Sequence, residues 1–325
     1  MVFILLNISL GSVSIPFKDV FGSLVGDETV KETWQNIVRD FRVPKAITAI
    51  LVGSGLSVSG LLMQTLFRNP LAGPFVLGIS SGASLGVAVL ILSGSFFGAS
   101  IATLAFSNFG LAIASSLGAF LVLFAVMLVA QKVRNTMSIL IIGLMFGSLT
   151  TAVFSILAYF SSAEQLQQYI FWSFGSLGNL SWNELLVFFL IYLIGMGLVV
   201  SIIKPLNSLL LGENYAKSMG VNLKRTKNVT LFTTAILTGV ITAFSGPIAF
   251  VGLAVPHLAK LLFNTSNHKI LLPATAIIGA IVMLLSDTIA QMPNSEFSLP
   301  INAVTSIFGA PIVIWLLVRK KNAVL

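Results

Sequence analysis

Thr48-Ala-Ile-Leu-Val-Gly-Ser-Gly-Leu-Ser-Val-Ser-Gly60 returns 186 residues later as Thr234-Ala-Ile-Leu-Thr-Gly-Val-Ile-Thr-Ala-Phe-Ser-Gly246, with seven of thirteen positions identical. Pro70 and Pro256 keep the same offset. Each copy lies in an apolar run of about 20 residues, the length that crosses hydrocarbon as a helix. An odd number of crossings separates the copies, so they point in opposite directions across the membrane. Inverted repeats are a transporter architecture, because two mirror-arranged halves can exchange inward- and outward-open states. A chance match between two helices rich in small residues is the alternative to a repeat.

The composition around the repeat leaves little choice of solvent. Hydrophobic residues make up 56% and charged residues 9% of 325 positions, and mean hydropathy is +1.01. A soluble domain carries about 25% charge, so this chain lacks the polar surface to face water on all sides. The alternating pattern of a membrane β-barrel is absent. The reading is an all-α polytopic membrane protein, one domain over residues 1–325. The net charge of +8 sorts by membrane side and is no nucleic-acid signal. If the 204–228 loop lies inside, thirteen basic residues and one acid, Glu213, fall inside, against five basic residues and eight acids outside. Cytoplasmic loops carry the excess of Lys and Arg, which places the C-terminus in the cytoplasm.

Ten spans are expected. Met1–Leu10 is too short to cross and reads as the end of a first helix whose front is missing. Further spans cover about Pro44–Leu66, the region opening with Gly78–Gly86, Phe109–Ala130, Met137–Phe160, Leu185–Ile203, a stretch from Val229, Ile270–Gln291 and Pro300–Val318. Ser245–Lys260 is a short, proline-broken return. Glycines at 78, 82 and 86 put a flat stripe on one helix face, first a packing signal. Ser161–Glu184 carries Phe171, Trp172, Phe174 and Trp182, suited to an interfacial helix.

The polar interruption Leu209–Lys227 is too long for a plain connection and still carries Leu211, Ala216, Met219 and Val221. Gly212 and Gly220 bracket about two helical turns, with Glu213 and Lys217 four apart on one face. It reads as a helical foot beneath the membrane, shaped for another protein; a solvated loop is the alternative.

Several chemistries are missing. There is no Gly-x-x-x-x-Gly-Lys-Ser/Thr phosphate loop, no His-Glu-x-x-His helix, no nucleophile elbow and no cysteine. An enzyme is not expected, nor a cofactor bound by this chain. Asp287 is the one acid placed mid-span, where a carboxylate must be paired, protonated or wet. It is either a structural partner or the coupling site of an ion-driven secondary transporter; a carrier of that kind would be expected to offer several intramembrane charges. His257, after Pro256 at a helix break, reads as a structural partner.

Read together, Arg42-Val-Pro-Lys45, Gly60-Leu-Leu-Met-Gln64, Phe67-Arg-Asn-Pro-Leu-Ala72, Leu77-Gly-Ile-Ser-Ser-Gly82, Trp172-Ser-Phe-Gly-Ser176, Leu211-Gly-Glu213, Ala216-Lys-Ser-Met-Gly220, Phe250-Val-Gly-Leu253 and Gly309-Ala-Pro311 occur in a fixed order. The series resembles the permease subunit of ABC importers for iron–siderophores, haem and vitamin B12, the FecCD-type family. The resemblance implies a homodimer, or a pair with a related permease, in the bacterial cytoplasmic (inner) membrane. A cytoplasmic ATPase dimer holding ATP-Mg would dock below, and a periplasmic or lipid-anchored binding protein above. The family's coupling helix matches Leu211, Gly212, Glu213, Ala216, Lys217, Met219, Gly220 and Val221. Its external docking positions match Arg42 and Lys45, while a third basic position of some members is Gln291 here. Its inner-gate turns would fall at Ser81, Gly82, Ala83 and at Asn135, Thr136, Met137.

Overall fold

The computed structural model describes residues 2–319 apart from 12, 28, 94–106, 131–132, 134–135, 179, 294 and 296. Among the described residues every regular element is helical. α1 (Val2–Ser9), α2 (Phe17–Val25) and α3 (Glu32–Asn36) lead through a π-helical turn, Ile37–Arg42, into α4 (Val43–Phe67). A 3-10 turn, Pro74–Leu77, precedes α5 (Ile79–Leu92). Then come α6 (Asn108–Ala130), α7 (Thr136–Tyr159), α8 (Ala163–Ser173) and α9 (Trp182–Ser201). The short α10 (Ile203–Leu210) and α11 (Glu213–Ser218) lead to α12 (Leu223–Ser245), α13 (Val251–Phe263), α14 (His268–Ala290) and α15 (Ile301–Arg319).

Among the described residues six helices are long and apolar enough to cross a membrane, and α5, α13 and α15 are shorter apolar helices. With the eight-residue α1, read as the end of a first span, they account for the ten helices expected. The basic positions Lys132, Arg134, Lys320 and Lys321 lie outside the described residues.

The second span departs from expectation in a way that its proline explains. A helix was expected to open at Pro44; the helical run instead begins at Glu32 and passes through Pro44 without a break. Proline inside an α-helix lacks a donor and clashes with the carbonyl four residues back. The preceding π turn widens the backbone, so that the Val43 N–H bonds to the Val38 carbonyl five residues back. The sixth span likewise starts earlier, at Trp182, because Ser181 and Glu184 form a capping box. Ser162 and Gln165 form another at the head of α8, the helix expected among the external aromatics.

α4 is the central post. It is almost wholly buried and packs against α14, α12, α13, α9, α10 and α1. Close approach is possible because glycine meets backbone: a Cβ on Gly60 would sit 1.7 Å from the Gly252 carbonyl oxygen, and one on Gly53 2.2 Å from that of Gly279. Without a hydrophobic force between helices in lipid, such contacts carry the packing. The repeat copies, α4 and α12, run antiparallel. Arg68, just past the end of α4, reaches the Leu209 carbonyl near the start of α12. Lys45, at the head of α4, lies beside Gly178, and the neighbouring Ser176 bonds to the Ser245 carbonyl at the far end of α12. Their prolines also meet: His257, which follows Pro256, donates from Nε2 to the Pro70 carbonyl at 2.8 Å.

Candidate functional site

The foot is built as a clamped elbow. α10 buries Leu206 and Leu209. Gly212 then takes φ +117° and Gly220 φ +81°, both in the left-handed region that favours glycine, so α11 turns back between them. Glu213 opens α11 and Lys217 lies in its last turn, each at the helix end that its charge suits. Ala216 is fully buried and accepts from the Val221 N–H at 3.0 Å, pinning the elbow from within. Leu211, Tyr215 and Met219 are 66%, 51% and 58% exposed. An apolar surface thus stands on a polar, basic segment.

What holds this elbow is a set of side chains that sequence reasoning did not bring together. Arg68 donates to the Leu209 carbonyl at 2.7 Å. Asn207 Oδ1 accepts from both the backbone N–H and the Nδ1 of His268, each at 2.8 Å, while Asn207 Nδ2 donates to Asn267 at 2.9 Å. His268 Nε2 lies 2.9 Å from Thr65 Oγ1 in α4. A neutral imidazole protonated at Nδ1 donates to Asn207, and its Nε2 shares the single Thr65 hydroxyl proton with the Leu61 carbonyl, also 2.9 Å away. On the far side Asn222 caps α12, accepting the Arg225 N–H at 2.9 Å. The foot is therefore tied to α4, α12 and α14. Two polar residues spaced 61 apart carry no local pattern; only the capping asparagines were there to be noticed.

At the opposite end of α4 a second polar cluster forms. Lys45 Nζ lies 3.1 Å from Asp287 Oδ1. The other carboxylate oxygen of Asp287 accepts from Asn7 at 2.9 Å and Gln291 at 2.6 Å. Asp287 is 2% exposed, and its partners are a lysine and two amides. Arg42 turns inward: its guanidinium donates to the carbonyls of Ile8 at 2.6 Å, Ser9 at 2.9 Å and Val13. Of the two cations expected to face a binding protein, Lys45 is partly exposed and engaged by Asp287, whereas Arg42 is buried as a clamp on the N-terminal segment. Gln291 stands in the same cluster as a donor.

The gate positions fall on α5 and α7. Gly82 packs against α6, where an added Cβ would lie 2.6 Å from the Gly118 carbonyl oxygen, and Ala83 is buried. Ser81 faces Gly147 of α7. Thr136 and Met137 open α7, and Asn135 lies outside the described residues.

Residues 1–319 match the profile of the FecCD transport family. The chain belongs to that family. It is 35% identical over 319 residues to the hemin transport system permease protein HmuU of Yersinia pestis, covering 97% of this chain and 91% of the relative. It is 34% identical over 286 residues to the vitamin B12 import system permease protein BtuC of Citrobacter koseri, covering 88% and 84%. Among solved structures, a metal-chelate type ABC transporter in an inward-facing conformation superposes with a TM-score of 0.84 at 31% identity, covering 98% of this chain and 96% of that one. This FecCD chain is accordingly a transport component and not an enzyme.

Proposed function

We propose that this chain is the membrane permease of a binding-protein-dependent ABC importer for bulky chelates of the iron–siderophore, haem or cobalamin type. The observation that carries the reading is the foot: exposed Leu211, Tyr215 and Met219 on a glycine-bracketed elbow bonded into the membrane bundle. An apolar patch so rigidly mounted suits a cytoplasmic ATPase dimer, which binds ATP-Mg itself and moves the elbow as it closes. The names and metal-chelate description of the relatives support the substrate class.

Two copies, or this chain and a related permease, enclose the path in this reading. α7 is largely unburied, and Ser148, Thr151 and Ser155 lie along its exposed side. Their hydroxyls bond back to the carbonyls of Leu144, Gly147 and Thr151, so they present a mild, uncharged surface. Such a wall suits a large chelate better than a bare ion, which needs rings of charge or carbonyls. Ser81–Ala83 and the Asn135–Met137 turn would form its inner constriction. Lys45, exchanging Asp287 for an acid on an external binding protein, would form the docking point, with the C-terminus in the cytoplasm of a bacterial inner membrane.

An ion-coupled carrier working through Asp287 has less support, because that carboxylate is already held by a lysine and two amides. Proteoliposomes containing this chain, its ATPase and its binding protein distinguish the two. Import of a ferric chelate, haem or cobalamin is expected only with ATP and the binding protein. Import from a proton or sodium gradient alone overturns the proposal.

A further inference from the structure

A groove of ≈ 470 Å³ runs between α6, α9 and α12. Along α6 it extends from Phe109 to Leu123, about 21 Å at 1.5 Å rise per residue. That exceeds the depth of one leaflet, about 15 Å or half the hydrocarbon core. Its floor has room at Gly239, where an added Cβ meets nothing within 4 Å. Its rim, including Ile113, Leu117 and Phe120, is exposed toward the surroundings of the bundle.

At Phe244 the groove meets a second cavity of ≈ 210 Å³, lined in part by Asn108, Gln168, Trp172, Ser176 and Ser245. Among the described residues no Asp, Glu, Lys or Arg lines either cavity. Ser245 is 2% exposed, and its hydroxyl has no hydrogen-bond partner among the described residues. A buried, unpaired hydroxyl is costly unless something bonds to it. Trp172 and Phe171 flank the same mouth, the aromatic signature of the level where bilayer becomes water.

We propose that the two cavities together hold one diacyl phospholipid from the leaflet on the α8 side of the bundle. One acyl chain lies in the groove, and an ester carbonyl at the mouth accepts from the Ser245 hydroxyl. The uncharged lining selects a zwitterionic headgroup over an anionic one. The length of the groove, its sideways opening and the unpartnered hydroxyl at one end fit an amphiphile better than a second protein.

The test uses the full chain in phosphatidylcholine nanodiscs carrying a trace of phosphatidylcholine with a diazirine on its acyl chain. After illumination, label is expected on peptides covering Ile113–Leu123 and Phe232–Val240. Gly239→Leu fills the groove from its floor and Ser116→Trp from its wall. In whichever variant keeps the wild-type elution profile, label on those peptides should fall about tenfold, with label on the exposed α9 face near Leu190 unchanged. Ser245→Ala should reduce the groove label without changing the α9 label. Phosphatidylcholine should displace the probe better than phosphatidylglycerol. Groove label no higher than α9 label, label unmoved by either filling variant, or preference for phosphatidylglycerol each overturns the proposal. So does copy-to-copy disulfide capture through Phe120→Cys, which would assign the groove to a second copy of the chain.

Discussion

Replacing Asn207 with leucine tests whether the foot is bonded to the bundle or only rests on it. The substitution keeps the volume and the apolar stem but removes the acceptor for the His268 N–H and Nδ1, both at 2.8 Å. Each partly buried bond is worth about 1 kcal/mol net, so attachment weakens by about 2 kcal/mol. The Asn207–Asn267 bond is exposed, and water replaces it at little cost. Local opening of α10 and α11 should then be about 30-fold more frequent, since 1.4 kcal/mol is a factor of ten. Native-state hydrogen exchange of the reconstituted permease reads this directly. Amides of Leu206–Val221 should exchange about 30-fold faster, with those of α4 unchanged. With the ATPase present, hydrolysis should continue while import per ATP falls. Unchanged exchange over Leu206–Val221 would show that the asparagine carries no mechanical connection. The reasoning about a rigid elbow would then be refuted.

Asp287→Asn should lower the thermal unfolding temperature in detergent while ATP-driven import per folded molecule persists. Breaking a buried pair costs about 3–5 kcal/mol, but Lys45 is 25% exposed, so about 1–2 kcal/mol is expected here; loss of import at unchanged stability would favour ion coupling. Arg42→Met should release the N-terminal segment from three carbonyls and open residues 10–16 to thermolysin, and Arg42→Lys should rescue poorly because an ammonium lacks the planar fork. Gly60→Ala should prevent correct packing of α4 on α13, a loss of more than about 3 kcal/mol visible as failure to elute as a monodisperse species, because backbone faces backbone there; Gly239→Ala, with empty space above it, should behave as wild type.

Sequence exposed whatever depended on composition and local period. Apolar runs of membrane length, the sidedness of charge and the glycines at 78, 82 and 86 each state a constraint within a short window. The structure keeps the apolar runs as spans and the glycines at 82 and 86 as the contact of α5 with α6. The short helix between Gly212 and Gly220 was also legible, because those glycines bracket about two helical turns. Illegible were contacts that cross the fold. Asn7 meets Asp287 across 280 positions, and Arg68 meets Leu209 across 141. Nothing in the local pattern of an asparagine or arginine announces such a partner. Arg42 shows the related limit: its motif was visible, but whether its guanidinium pointed outward depended on where the Ile8–Val13 carbonyls were placed. Pro44 misled for the opposite reason, since a local rule about helix starts was overridden by the π turn before it.

The repeat and the foot are parts of one mechanical unit. α4 and α12 lie antiparallel, so the C-terminus of one and the N-terminus of the other lie at the same end of the pair, the end that carries the foot. α11 is bonded between those ends: Arg68 holds the Leu209 carbonyl just before it, and Asn222 caps α12 just after it. A displacement of α11 therefore enters both repeat copies at once. Their outer ends are held differently. α4 is fastened by Lys45 to Asp287 and by Arg42 to the N-terminal segment, whereas α12 ends at Ser245–Gly246, where the helix breaks before α13. The same push thus meets side-chain clamps at the outer end of one copy and, in the other, a helix break held by the bond from the Ser176 N–H to the Ser245 carbonyl. Repeat copies that are similar in sequence but unequally anchored can move apart under one force, the kind of motion the proposed importer would need to rock one repeat against the other.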